Sequence, residues 1–254
     1  MKRVVVKVGS AVLTQDGAIA LQRMQALVDF LAQLQEKYEV ILVSSGAVAG
    51  GYTQLHLDRN NLANKQALAA IGQPVLMGKY AKKFSKYNIL TAQVLVTAAN
   101  LNKEDDIQRV KNTVDTLLNN KVIPIVNEND ATATDELEVG DNDQLSAYIT
   151  KHTGSDILII LSDIDAYYDK DPRIYKDAKK LQKVSMITQE ELSKDVNPNN
   201  AFATGGIVTK LKAASYLLEN NIDMFLASGF DLDDVKSYMI EGIHKGGTLF
   251  THKV

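Results

Sequence analysis

Short apolar runs recur along the chain and alternate with stretches in which apolar residues return every three or four positions. RVVVKV at 3–8, VILVS at 40–44, ILTAQVLV at 89–96, VIPIV at 122–126, DILIIL at 156–161 and IDMFLA at 222–227 are rich in branched residues and mostly end in small or polar ones. That is the pattern of strands buried on both faces. Between the first two runs, Leu21, Met24, Leu27, Val28, Leu31 and Leu34 share one face of a helix. Similar patterns predict helices over roughly 61–84, 102–119, 141–152, 205–220 and 231–241. The alternation predicts an α/β fold with an open, mainly parallel sheet sandwiched between helices. Ligands of such sheets sit beyond the carboxyl ends of the strands. Polar residues fall at those ends here, after VVVKV, VILV, VIPIV and ILIIL. No repeat or flexible linker interrupts the pattern, so one extended domain or two closely joined lobes meeting near residue 150 is expected; the polar stretch 193–206 reads as a mobile loop.

Several polar insertions are unusual for buried strands. In VVKVGS, Lys7 sits near the carboxyl end of a strand. Its head group either snorkels to water or reaches an anion held over the turn at Gly9 and Ser10, where bare backbone N–H groups can approach oxygen. SSGAVAGG at 44–51 follows a strand and opens a helix. It reads equally as an anion site at the positive end of a helix and as a tight turn whose small residues allow close packing. It is neither a P-loop nor a dinucleotide-binding fingerprint.

A third cluster is richer still. Asn127, Glu128, Asn129 and Asp130 directly follow a strand, and after a predicted hairpin Asp141, Asn142 and Asp143 open the next helix. Helix capping accounts for one of these residues, not for all seven. The spacing is not that of a calcium loop, and a chain without tryptophan offers no aromatic platform for a sugar. Carboxylates and amides facing a lysine and two glycine turns suit a small, polar, charged substrate. Farther on, LSDIDAYYDKDPR at 161–173 follows another strand, and GGIVTKLKAA at 205–214 sets Lys210 in a helix just past a double glycine. Two lysines, two glycine-rich turns and an acidic organiser match the needs of phosphoryl transfer, which demands charge neutralisation more than acid–base chemistry.

Composition narrows the partners. With 28 Lys plus Arg against 31 Asp plus Glu, the formal net charge of −3 supplies no basic field for nucleic acid, and a small molecule is the better ligand. The absence of cysteine removes disulfides, thiol catalysis and cysteine-based zinc sites and suits a reducing compartment. The first residues, MKRVVVKVGS, hold no apolar run long enough for a leader or a membrane span, so a cytoplasmic setting is expected.

Taken in order, VVKVGSAVLT, VSSGAVAGG, VNENDATAT, VGDNDQLSA, LSDIDAYYDKDPR and ATGGIVTKLKAA cover essentially the whole chain and closely resemble the glutamate 5-kinase family of the amino acid kinase superfamily. The resemblance implies an open eight-stranded, mainly parallel sheet and ATP-dependent phosphorylation of the side-chain carboxylate of L-glutamate, giving glutamyl 5-phosphate for proline synthesis. It implies a single kinase domain over 1–254, with a lobe of about 1–150 for glutamate and one of about 151–254 for ATP. It assigns Lys7 and Lys210 to the phosphates and transition state, and Asp143 to organising those lysines. Ser45, Asp130 and Asn142 match glutamate-binding positions, with Asn127 beside them. Ser162 and Asp163 match an ATP-binding pair, Gly9 stands at the first phosphate turn, and Thr204, Gly205, Gly206, Ile207, Val208, Thr209 and Lys210 match the nucleotide loop. Magnesium is implied with the nucleotide, with no side chain as its direct ligand.

The family is often inhibited by L-proline and assembles as dimers or tetramers, so a homo-oligomer is implied. Many members carry a carboxyl-terminal PUA domain; this chain stops at GGTLFTHKV, where the kinase domain would end, and neither that domain nor RNA partners are expected. DAYY at 165–168 departs from the expected DGLY or KGLY, with Ala166 in place of glycine. Carbamate, aspartate, acetylglutamate and UMP kinases share the lysine and glycine logic, but the NEND and GDND pair points to glutamate. A catalytically silent amino acid sensor would have lost a phosphate lysine, whereas Lys7, Lys210 and Asp143 are all present. A structural α/β domain with an acidic face would bind no nucleotide.

Overall fold

A computed structural model describes residues 1–101, 103–132, 142–193 and 206–253. The strands are β1 (Lys2–Val8), a short hairpin of β2 (Thr14–Gln15) and β3 (Ala18–Ile19), β4 (Tyr38–Ser44), β5 (Thr91–Val96), β6 (Ile123–Glu128), β7 (Ile157–Ser162), β8 (Lys183–Val184), β9 (Asp223–Ser228) and β10 (Thr248–Phe250). The α-helices are α1 (Ser10–Leu13), α2 (Leu21–Gln35), α3 (Ala47–Tyr52), α4 (Leu62–Phe84), α5 (Ala98–Leu101), α6 (Glu104–Asn119), α7 (Asn142–His152), α8 (Gln189–Leu192), α9 (Gly206–Glu219) and α10 (Asp233–Lys236). Eight strands form one sheet in the order β5-β6-β4-β1-β7-β9-β10-β8, parallel except where β10 runs against β9.

All six predicted strands are present. The two smallest members of the sheet, β8 and β10, and the β2–β3 hairpin were not read from the sequence, because two or three residues carry no periodicity. The predicted helix at 231–241 is instead α10 followed by a π-helical turn over Ser237–Glu241. Leu21, placed on the inner face of α2, is 50% exposed, while Met24, Leu27, Val28, Leu31 and Leu34 are buried as expected. The predicted hairpin falls largely on 133–141 and the polar loop on 194–205, both outside the described residues. Among the described residues no helix is long and apolar enough to cross a membrane.

Alternation along β1 decides what faces what. Val4, Val6 and Val8 enter the core formed with α2 and α4, while Val5 enters the core on the opposite side, formed with α6, α7 and α9. By the period of two, Lys7 shares the face of Val5 and is aimed at α7 and α9. The sheet is continuous across the middle of the chain, since β1 pairs with β4 on one side and β7 on the other. The chain order reverses at that central strand, and the crevice beyond the carboxyl ends of β4, β1 and β7 is the natural ligand position of such a sheet.

Candidate functional site

At the end of β1 the Lys7 side chain meets Asp143, the second residue of α7, in an ion pair. The other carboxylate oxygen of Asp143, Oδ2, accepts from Lys210 Nζ on α9 at 3.0 Å and from Thr209 Oγ1 at 3.0 Å. Lys210 Nζ also donates to the Gly206 carbonyl one turn earlier, at 2.7 Å. Lys7 is 4% exposed, Asp143 1% and Lys210 6%, so this is a buried cation–anion–cation cluster, not a solvated acidic face. The snorkelling alternative for Lys7 is thereby excluded. Burial alone would raise the Asp143 carboxyl, but the two ammonium groups together outweigh it and hold the carboxyl below its ordinary range. Asp143 is therefore a carboxylate at any pH near neutral, and its charge fixes two lysines that would otherwise repel one another.

Beside this cluster opens a cavity of about 410 Å³ lined by Lys7, Ser10, Ser45, Arg59, Asn127, Glu128, Asp130 and Asn142, among others. Its inner wall is a chain of amides. Asn142 Nδ2 donates to the Ser44 carbonyl at 3.1 Å, to Ser45 Oγ at 2.9 Å and to Asn127 Oδ1 at 3.1 Å. Asn127 Oδ1 also accepts from the Glu128 backbone N–H at 2.9 Å, and Asn127 Nδ2 donates to Gln73 Oε1 at 3.0 Å. Gln73 Nε2 in turn donates to Gln93 Oε1 at 3.1 Å. Main-chain groups on Ser44 and Glu128 thus orient both asparagines, leaving Asn142 Oδ1 buried and without a hydrogen-bond partner among the described residues. Asp130 has neither ion pair nor side-chain hydrogen bond among the described residues, and burial pushes its carboxyl above the ordinary range. An unpaired carboxylate on the wall of the cavity suits an ammonium group.

The structure brings Lys7, Asp143, Thr209 and Lys210 together and sets Ser45, Asn127, Asp130 and Asn142 around one cavity. Other expectations change. The Gly9 N–H is not bare: it donates to the Leu161 carbonyl at 3.1 Å and so ties β1 to β7 beyond the end of their ladder. The SSGAVAGG glycines divide their work. Gly46 takes a left-handed φ of 104° in the turn, whereas a Cβ on Gly51 would lie 1.9 Å from the Leu68 carbonyl oxygen of α4. Close packing of α3 on α4, not anion binding, is what Gly51 serves. Ser162 and Asp163 lie at the end of β7, where Ser162 Oγ donates to Asp163 Oδ1 at 2.9 Å. The side chains of Ile207 and Val208 are committed to the core. Ala166 is fully buried without a left-handed φ, so its methyl group strains no turn. Thr204 and Gly205 lie outside the described residues.

Sequence reasoning missed Gln73, Gln93 and Arg59. A glutamine inside an amphipathic helix and an arginine in an irregular connection carry no local signal that they face a cavity.

Comparison with known proteins gives the family and the fold. Residues 2–228 match the model of the amino acid kinase family. A glutamate 5-kinase of Wolinella succinogenes is 51% identical over 98% of each chain, and one of Leishmania donovani is 49% identical over 100% of this chain and 97% of the relative. Among solved structures, the isopentenyl phosphate kinase of T. acidophilum matches with a TM-score of 0.67 at 15% identity, over 98% of this chain and 100% of that one, a likeness of fold.

Proposed function

We infer, since the chain belongs to the amino acid kinase family and within it to the glutamate 5-kinases, that it transfers the γ-phosphoryl group of ATP to the side-chain carboxylate of L-glutamate. The observation that carries the site assignment is the junction of the Lys7–Asp143–Lys210 cluster with a cavity holding an unpaired carboxylate, Asp130. A carboxylate oxygen of the substrate attacks the γ-phosphorus while the bond from phosphorus to the bridging oxygen of ADP breaks. A lone pair of the attacking oxygen becomes the new oxygen–phosphorus bond of an acyl phosphate, and the pair of the broken bond leaves on the ADP oxygen. The nucleophile is already an anion and needs no general base. What it needs is relief from charge as two anions approach, and Lys7 and Lys210 supply that from fixed positions. Asp143 holds them apart and aimed.

The substrate end is read from its charges. The ammonium of glutamate takes Asp130, with Ser45, Asn127 and Asn142 completing the wall. Among the described residues no three acidic, histidine or cysteine side chains cluster, and both oxygens of Asp143 are engaged by lysines. That donor set fits a magnesium ion held through nucleotide phosphates and water, which when bound would bridge phosphate charge. The reading sets the reaction in the cytoplasm, where ATP is abundant.

ADP release measured with L-glutamate, L-aspartate and N-acetylglutamate tests the substrate, and only glutamate should be turned over efficiently. Asp130→Ala should raise the glutamate KM by about 2 kcal/mol while the KM for ATP stays nearly constant. Phosphorylation of N-acetylglutamate as well as glutamate by the unmodified protein would refute the ammonium assignment.

A further inference from the structure

The cavity carries a second cation at its mouth. Arg59 lies in the connection between α3 and α4, exposed, yet its guanidinium carbon sits 4.5 Å from the centroid of the Tyr52 ring. Tyr52 is itself half-buried and packs against His56, with ring centroids 4.8 Å apart. The guanidinium is therefore propped on an aromatic face instead of moving freely in solvent.

What sets Arg59 apart from the other arginines is the absence of a partner. Arg3, Arg109 and Arg173 pair with carboxylates, and Arg23 donates to backbone carbonyls. Among the described residues Arg59 makes neither an ion pair nor a hydrogen bond. A rigid fork of five N–H donors is thus held, uncommitted, on the lining of a cavity that also contains Lys7, Glu128 and Asp130. The lining thus carries one buried cation, Lys7, and one exposed cation, Arg59, together with acidic groups. Two cations and Asp130, the carboxylate without an ion pair among the described residues, are the complement of a small zwitterion with two carboxylates and one ammonium group.

We propose that Arg59 is a specificity-determining residue that binds the α-carboxylate of the amino acid substrate. The inference rests on the reading of this cavity as the glutamate site. With the reacting carboxylate next to Lys7 and the ammonium at Asp130, the remaining carboxylate is directed to the open end, where a forked guanidinium can take both of its oxygens. Arg59 then distinguishes an amino acid from an amine that merely carries a distal carboxylate, and it does so without touching the reacting atoms.

Steady-state kinetics of Arg59→Ala with L-glutamate and with 4-aminobutyrate, which is glutamate without its α-carboxylate, tests this. The position is exposed, so the variant should fold as the parent does. Its glutamate KM should rise about 10- to 100-fold, while kcat and the KM for ATP change less than about twofold. Its kcat/KM for 4-aminobutyrate should match that of the parent. Arg59→Lys should fall between, keeping charge and losing the fork. An unchanged glutamate KM, or a parallel loss on both substrates, would overturn the inference; if 4-aminobutyrate is not turned over at all, the KM and kcat split on glutamate decides. Asp130→Ala measured beside it separates the two levels. If neither variant raises the glutamate KM, the cavity reading falls; if only Asp130→Ala does, Arg59 alone loses its role.

Discussion

The two ends of the site obey opposite charge rules. At the phosphate end every charge has an internal partner: Lys7 and Lys210 share the carboxylate of Asp143, and Thr209 completes its coordination. At the substrate end, Asp130 and Arg59 have no ionic partner among the described residues. The difference follows from what each end must do. Groups that stabilise a transition state act best when already fixed, so that no reorganisation accompanies the reaction, and a permanent counter-ion fixes two lysines at once. Groups that recognise a substrate act best when their only good partner is the substrate itself. A group that is desolvated and unsatisfied beforehand, as Asp130 is, rejects a molecule lacking the matching charge.

Breaking the phosphate end should have the largest effect. Asp143→Asn keeps the shape but leaves two buried ammonium groups facing each other. Turnover should fall about a thousandfold, on the order of 4 kcal/mol, because both lysines lose their aim. The unfolding free energy should drop by about 3 kcal/mol, since removing one partner of a buried ion pair strands the other. Thermal unfolding and rate measured on one sample check this. A variant of parental activity, with stability within about 1 kcal/mol, would reduce Asp143 to a helix cap. Lys7→Ala comes next, with kcat lower by about a hundredfold, on the order of 3 kcal/mol, and glutamate KM much less affected. If its KM rose and its kcat held, Lys7 would belong with the substrate groups and the two-rule picture would fail.

The sequence revealed these ends unequally. Branched runs made six strands legible, and the charge near the end of VVVKV singled out Lys7 but not the face it takes. That residues 7, 143 and 210 converge could not be read from spacing, since the contact depends on which helices cover that face; the resemblance to a family supplied it. The glycine cluster stayed ambiguous because a turn needing positive φ and a helix needing close approach both select glycine. Only the distances at Gly46 and Gly51 separate the two demands. Gln73 and Arg59 were invisible for a different reason. Their roles are defined by what lies opposite them, on elements distant in the chain.

The smallest effect sharpens the comparison from the substrate side. Burial raises the Asp130 carboxyl above its unfolded value of about 3.9, with no internal cation to offset it. A carboxyl raised in this way contributes stability that is full below the unfolded pKa and is lost as pH climbs through the folded one. At neutral pH the ligand-free protein therefore carries an ionised group that weakens it. Asp130→Asn removes that charge, so without ligand the variant should melt about 1–3 °C above the parent at pH 7, and the gap should close on acidification toward about pH 4. Saturating L-glutamate should reverse the order, because only the parent gains the ammonium pair. In kinetics, the parent's kcat/KM for glutamate should decline as pH falls through the raised Asp130 pKa, and the variant should lack that decline. A ligand-free variant less stable than the parent at pH 7 would mean that Asp130 is already held by an internal partner, and then both ends of the site would follow the same rule.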